Sequence, residues 1–295
     1  MNHRTDLALE AHELWRQANR DSAPQGVTTK ERNLEGFSVT EVRIEEDRAA
    51  QALEKPKGTY LTLDLRSFWR HESRALERAV LALSKELRDL LPHAHSAMVV
   101  GLGNRAITPD AVGPLTAEHI FVTRHLRTDP AFASLSPVSV VIPGVLGRTG
   151  MEAFEIVRGA VHAVHPDVVL AVDALASRRL GRVCNTVQLS NTGIVPGSGV
   201  GNHRHALDRA ALGIPVIAVG IPTVVDANTL ALDIIEQSGV KSFSPRALAD
   251  CGSSVMVTPR DIDLQIRELA RVVGYGITLA LQPQLDFAQL TQLMG

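Results

Sequence analysis

Short valine-rich runs alternate with longer amphipathic segments through the middle of the chain. SAMVVGLG (96–103), VSVVIPG (138–144), DVVLAVDA (167–174) and IPVIAVGI (214–221) are apolar on both sides of the backbone, as strands covered on two faces are. Residues around 111–125, 150–164 and near 205–212 fall between them and predict helices. Strand–helix–strand order of this kind predicts an α/β fold, a three-layer sandwich around a mostly parallel central sheet. Toward the N-terminus, Leu7, Leu9, Ala11, Leu14 and Trp15 give residues 7–20 a partly apolar helical face. FSVTEVRI and TYLTLDL, within 36–65, alternate as half-buried strands do, and residues 72–91 predict a helix. TVQLS (186–190) adds a strand, and helices are expected over 226–237 and 259–281. No linker, repeat or low-complexity tract interrupts the series, so the chain reads as one α/β domain.

Composition narrows the function classes. A chain of 295 residues has ample length for a large core. Lysine plus arginine (30) and aspartate plus glutamate (32) nearly cancel, so no global charge draws the chain to nucleic acid or an anionic membrane. Cys184 and Cys251 stand apart with no C-x-x-C pair, which supports neither a disulfide framework nor a cysteine zinc site. The opening MNHRTDLALEAHELWRQ has no continuous apolar core, and no run of about 18 apolar residues occurs. A cytoplasmic protein without a membrane partner is expected.

Three constellations carry candidate chemistry. In GLGNRAITPDAVGP (101–114), a strand ends in Gly101, Gly103 and Asn104 before a loop delivers Asp110 to a helix start, where it either caps the helix or faces a cleft. The string lacks the third glycine of a dinucleotide fingerprint and the G-K-[ST] of a P-loop, and no cofactor is expected. In VVLAVDALASRR, Asp173 follows an apolar strand, at the sheet edge where open α/β folds bind ligands. A carboxylate buried there must be paired, with Arg178 or Arg179 for instance, or else hydrogen-bonded or protonated. If both strands run parallel, Asp110 and Asp173 meet at one edge and can divide proton-donor and proton-acceptor roles. The loop NTGIVPGSGVGNHRHALD (191–208) holds Gly197 and Gly199, whose backbone N–H groups, like those of 101–104, are candidate donors to a substrate carbonyl. His203 and His205 follow it, as solvated residues or as metal ligands. Asp226, after the strand 214–221, reads as a helix cap. Arg178 and Arg204 are candidates for selecting acidic substrate residues.

RTDLALEA, GLGN…TPDAVGP, VTRHL (122–126), PGVLGRTGMEAFEI (143–156), DALASR (173–178), NTGIVPGSGVGN (191–202) and GIPVIAVGIPTVVDA (213–227) together resemble the spore germination protease family, in order and over nearly the whole chain. The resemblance implies a cytoplasmic endopeptidase of the spore core, of an unusual aspartic type, that degrades small acid-soluble spore proteins. It also implies a homotetramer made as a zymogen, with the essential aspartates at Asp110 and Asp173. Residues 1–6 would be a propeptide removed by self-cleavage between Asp6 and Leu7. Asn191 and Val195 depart from the family pattern, where an aspartate and a histidine are common. The sheet is also similar to that of the hydrogenase maturation endopeptidases, whose acidic residues at comparable strand ends bind metal. A metal-dependent peptidase, or an inactive homologue that only binds spore proteins, are the alternatives.

Overall fold

The computed structural model describes residues 5–19, 22, 24–197, 204–238 and 255–294. Among the described residues, nine strands form one sheet: β1 (Val27–Leu34), β2 (Phe37–Ile44), β3 (Gly58–Asp64), β4 (Ala97–Gly101), β5 (Val138–Val141), β6 (Val168–Ser177), β7 (Thr186–Ser190), β8 (Val216–Asp226) and β9 (Met256–Val257). The helices are α1 (Ala8–Ala18), α2 (Asp47–Leu53), α3 (Ala75–Leu90), α4 (Val112–Glu118), α5 (Leu146–Thr149), α6 (Ala153–Val164), α7 (Arg209–Leu212), α8 (Ala227–Gln237), α9 (Ile262–Leu281) and α10 (Phe287–Met294). The spatial order is β1-β2-β3-β7-β8-β6-β4-β5, with β9 paired to β8. The central strands β5, β4, β6 and β8 run parallel, and the remaining pairs extend the sheet antiparallel.

The expected three layers are present. On one face, Leu83 and Leu87 of α3, Val112 of α4 and Ile266, Leu269, Val273 and Ile277 of α9 pack against Leu61, Val99, Leu170, Val172 and Val219 of the strands. On the other face, Val157 and Val161 of α6 cover Met98, Val100, Val169 and Ala171. The same face is covered further along by α1 and α2, which meet Val42, Ile44 and Tyr60. Alternate residues of each buried strand thus serve opposite cores, which is why these runs are apolar throughout.

Several boundaries differ from the sequence reading. β1 escaped it because VTTKERNL is largely exposed and shows no apolar alternation. α4 ends at Glu118 rather than near 125, and the helix near 205–212 is the single turn α7. β8 runs to Asp226 through Gly220 and Pro222, and β6 to Ser177, because the two continue to pair beyond the ends of their other neighbours, with a register shift between Leu175 and Ala176.

α4 lies close enough to β4 that only glycine fits at the crossing. A Cβ on Gly113 would sit 2.1 Å from the Leu102 carbonyl oxygen and 2.6 Å from that of Val172, and one on Gly101 would sit 2.5 Å from the Gly113 carbonyl oxygen. Gly113→Ala is therefore expected to destabilise the fold by about 1–3 kcal/mol, since a backbone contact cannot yield as a side chain would. Urea unfolding at constant slope measures it.

Candidate active site

β4 stops at Gly101, paired with Val172, while β6 continues. Leu102 N–H still reaches the Val172 carbonyl at 2.8 Å, but there the chain turns away. Asp173 is thus the first residue of β6 beyond its β4 neighbour. It lies within its strand rather than at the expected end, and it owes its access to the departure of β4. The departing chain turns at Gly103, whose φ of +111° and approach to Asp110 exclude a side chain: a Cβ would lie 2.1 Å from the Asp110 carbonyl oxygen. It returns through a single 3₁₀ turn, Thr108–Asp110, into α4. Asp110 does not cap α4; its Oδ2 accepts the Asn104 N–H at 2.8 Å and closes the loop on itself.

The parallel register of β4 and β6 brings both aspartates to one edge, where they line a cavity of about 290 Å³. Asp6, Leu175, Gly197 and Arg204 line it with them. Burial raises the Asp110 pKa, against the Asn104 hydrogen bond and the Arg204 charge, which lower it. Asp173, 4 % exposed, is raised well above the ordinary carboxylate range, first by burial and then by the negative charge of Asp110. The Ala174 N–H and Arg204 oppose this, while Asp6 adds to it. Two carboxyls sharing a desolvated pocket cannot both ionise cheaply, and burial together with the charge of Asp110 favours the protonated form of Asp173.

Other expected residues divide. Gly103 and Gly197 line the cavity; Gly101 lies beneath α4, and Gly199 and His203 fall outside the described residues. The Asn104 N–H is not open to a substrate carbonyl because Asp110 already accepts it. Arg178 is absent from the cavity lining: its guanidinium is buried in contacts with Gln17, Asp233 and Glu236, and so it neither pairs with Asp173 nor faces a substrate there. Arg204 does line the cavity. Asp226 caps α8 through the Thr229 N–H at 2.9 Å, as expected. His205 stacks on Phe154. Burial pushes the Cys184 thiol up to about 12, which leaves it no nucleophilic thiolate at neutral pH. Among the described residues, no group of three or more His, Cys, Asp or Glu could hold a metal ion, and no helix is long and apolar enough to cross a membrane.

The segment around Asp6–Leu7 docks against this site. Asp6 N–H donates to the Ala176 carbonyl at 2.9 Å, and Ala176 N–H returns a bond to the Asp6 carboxylate at 2.8 Å. Leu7 is fully buried. Lys55 Nζ donates to the Thr5 carbonyl at 3.1 Å, with its pKa lowered by burial against the pull of Asp6. Gln188 donates from Nε2 to the Asp6 carbonyl at 3.3 Å and accepts the Ala8 N–H at 2.7 Å. Sequence reasoning missed Gln188, Lys55 and Glu10, the last of which anchors α1. Gln188 is the central residue of TVQLS, where one polar position in an alternating strand signals only an outward face.

A family model described as germination protease matches residues 8–244. A germination protease of Caldanaerobacter subterraneus subsp. tengcongensis is 41% identical, covering 99% of this chain and 98% of its own. One from Clostridium acetobutylicum is 37% identical over 99% of both chains, and one from Bacillus cereus is 35% identical over 96% of this chain and 94% of its own. Among solved structures, the nickel–iron hydrogenase maturation protease HycI of Thermococcus kodakarensis aligns with 65% of this chain and 98% of its own, at 18% identity and a TM-score of 0.37.

Proposed function

Because the chain belongs to the germination protease family, we propose that it is an endopeptidase of spore germination that hydrolyses small acid-soluble spore proteins with Asp110 and Asp173 as its acid–base pair. The observation that carries the reading is the shared cavity, in which burial raises the pKa of both aspartates and the charge of Asp110 raises that of Asp173 further. Asp173, the more deeply buried, keeps its proton to higher pH and serves as the acid. Asp110, held by the Asn104 N–H and less enclosed, is the carboxylate that takes a proton from water. Water oxygen adds to the scissile carbonyl carbon as its proton passes to Asp110. The tetrahedral intermediate then collapses, the C–N bond breaks, and the leaving nitrogen takes the proton of Asp173. Arg204 faces the pair and supplies positive charge for an acidic substrate residue.

The chain's own Asp6–Leu7 bond is the first substrate in this reading. Its support is that Asp6 lines the cavity with both aspartates and hydrogen-bonds to β6 just past Asp173. Residues 1–6 then act as a propeptide whose Asp6 occupies the site until it is cut, and residues 7–295 are the peptidase domain. By family resemblance the enzyme works as a homotetramer in the cytoplasm of the spore core.

Activity is expected to fall on the acid side as Asp110 protonates, above the ordinary carboxylate range because its pKa is raised, and on the alkaline side as Asp173 loses its proton. The decisive experiment incubates the purified chain with a small acid-soluble spore protein and follows the masses of the fragments and of the chain's own N-terminus. Fragments together with loss of residues 1–6 are expected, at a rate a chelator leaves unchanged. Absence of fragments, or a chelator-sensitive rate restored by a divalent ion, would refute the reading.

A further inference from the structure

We infer that Gln188 is a catalytic residue, the hydrogen-bond donor to the carbonyl oxygen of the bond being cut. The inference rests on the proposed hydrolysis of Asp6–Leu7 by this chain. Asp173 on β6 and Gln188 on β7 both pair with Gly220 of the intervening β8. Residues directly opposite one another in a ladder project to the same face, so the two side chains rise from one surface, two strand spacings or roughly 10 Å apart. Gly220 contributes no side chain between them. Leu175 fills that space, which a Cβ at 220 would enter to within 2.2 Å of its Cδ1.

Residues 5–8 lie across this row. On the β6 side, Asp6 exchanges hydrogen bonds with Ala176. On the β7 side, Gln188 grips the chain on both flanks of Leu7, accepting the Ala8 N–H with Oε1 at 2.7 Å and donating to the Asp6 carbonyl with Nε2 at 3.3 Å. The Ala8 N–H can only donate, so the oxygen of the Gln188 amide must face it, and the NH₂ must face the Asp6 carbonyl. That carbonyl belongs to the Asp6–Leu7 peptide bond. The bond thus meets a neutral donor from β7, while Asp6 lines one cavity with the carboxyl pair.

As water adds to the carbonyl carbon, the π pair of C=O moves onto oxygen, and the Gln188 N–H meets the charge as it develops. A contact of 3.3 Å in the ground state shortens as the oxygen becomes negative, which directs the stabilisation to the transition state. Collapse returns the pair to the carbonyl and expels the Leu7 nitrogen with the proton of Asp173. One water is consumed, and an Asp6 carboxyl and a Leu7 amine are formed. Both of these Gln188 hydrogen bonds are to main-chain atoms, so the same contact is available to any extended chain that replaces residues 5–8.

The test follows self-cleavage of the full chain by intact mass, as a first-order loss of residues 1–6, across a range of pH. The unsubstituted chain is compared with Gln188→Leu, the isosteric Gln188→Glu, Asp110→Asn and Asp173→Asn, with the unfolding midpoint of each recorded. Gln188→Leu is expected to slow cleavage about 10²–10³-fold at every pH. Gln188→Glu is expected to be equally slow when ionised and to recover toward the unsubstituted rate as pH falls. A protonated carboxyl offers one acceptor to Ala8 and one donor to Asp6, whereas a carboxylate offers acceptors only. Full-rate cleavage by both Gln188 variants, alongside inactive Asp110→Asn and Asp173→Asn, overturns the role of Gln188 alone. A Gln188→Glu deficit that does not change with pH also overturns it, by reducing Gln188 to a structural part. Cleavage by the aspartate variants with loss in the Gln188 variants removes the carboxyl assignment and supports Gln188, while an uncut unsubstituted chain overturns both.

Discussion

Asp173→Asn is expected to lower peptide cleavage by about 10²–10⁴-fold, the range typical of a lost general acid, while making the folded chain more stable at neutral pH. The amide keeps the volume of the carboxyl and can still accept the Ala174 N–H, which Asp173 Oδ1 receives at 2.9 Å. It cannot hold or release the shared proton. Its stabilising effect follows from the raised pKa of Asp173. Above the ordinary carboxylate range, an unfolded chain gives up this proton while the folded chain retains it, so stability falls as pH rises until the buried group also ionises. The asparagine variant lacks that slope. It should gain about 0.5–2 kcal/mol near neutral pH, and nothing at a pH low enough to protonate the carboxyl in both states. Denaturant unfolding at acid and neutral pH, paired with the cleavage assay, checks both halves. A variant that loses activity but gains no stability would show that Asp173 carries little strain in the folded protein.

Glu10→Ala is expected to cost about 2–6 kcal/mol, since two buried backbone N–H groups lose their acceptor at about 1–3 kcal/mol each. Glu10 is 1 % exposed, yet all of its bonding capacity is used. Oε2 accepts the Arg178 N–H at 2.6 Å and the Thr5 hydroxyl, and Oε1 accepts the Arg179 N–H at 3.0 Å and the Arg182 guanidinium at 3.1 Å. The substitution would strand the Arg178 and Arg179 N–H groups beneath α1, while the Arg182 guanidinium keeps its contacts with Glu13. Because the same carboxylate ties Thr5 to the end of β6, residues 5–8 should lose their placement over the site. Slower removal of residues 1–6 is therefore expected, together with the lower unfolding midpoint. Normal processing in a destabilised variant would mean that Gln188, Ala176 and Lys55 suffice to hold the segment.

These two residues differ in how openly the chain announces them. Asp173 could be named in advance because an acidic residue after five apolar ones is costly unless it has a purpose. Asp110 could be named because glycines and a proline surround it where a strand must turn. Glu10 and Gln188 carry no such mark. Glu10 looks like an exposed position of an amphipathic helix, and its burial arises only because the 178–182 segment lies against it with unpaired N–H groups. Arg178 shows the converse, since its nearness in sequence to Asp173 suggested an ion pair with it, while the fold turned it toward Asp233 and Glu236.

Local chemistry in the chain was enough to determine the α/β class, the buried strands and the cap at Asp226, and to mark Asp110 and Asp173 as candidates, because periodicity, turn residues and a misplaced charge are properties of neighbours in sequence. Strand pairing was not. The row Asp173–Gly220–Gln188 exists because β8 lies between β6 and β7 in a set register, and register is decided by what each face buries across the whole sheet. The tertiary structure alone therefore decided which carbonyl Gln188 meets, which N–H groups Glu10 satisfies, and that Asp6 lines one cavity with Asp110 and Asp173.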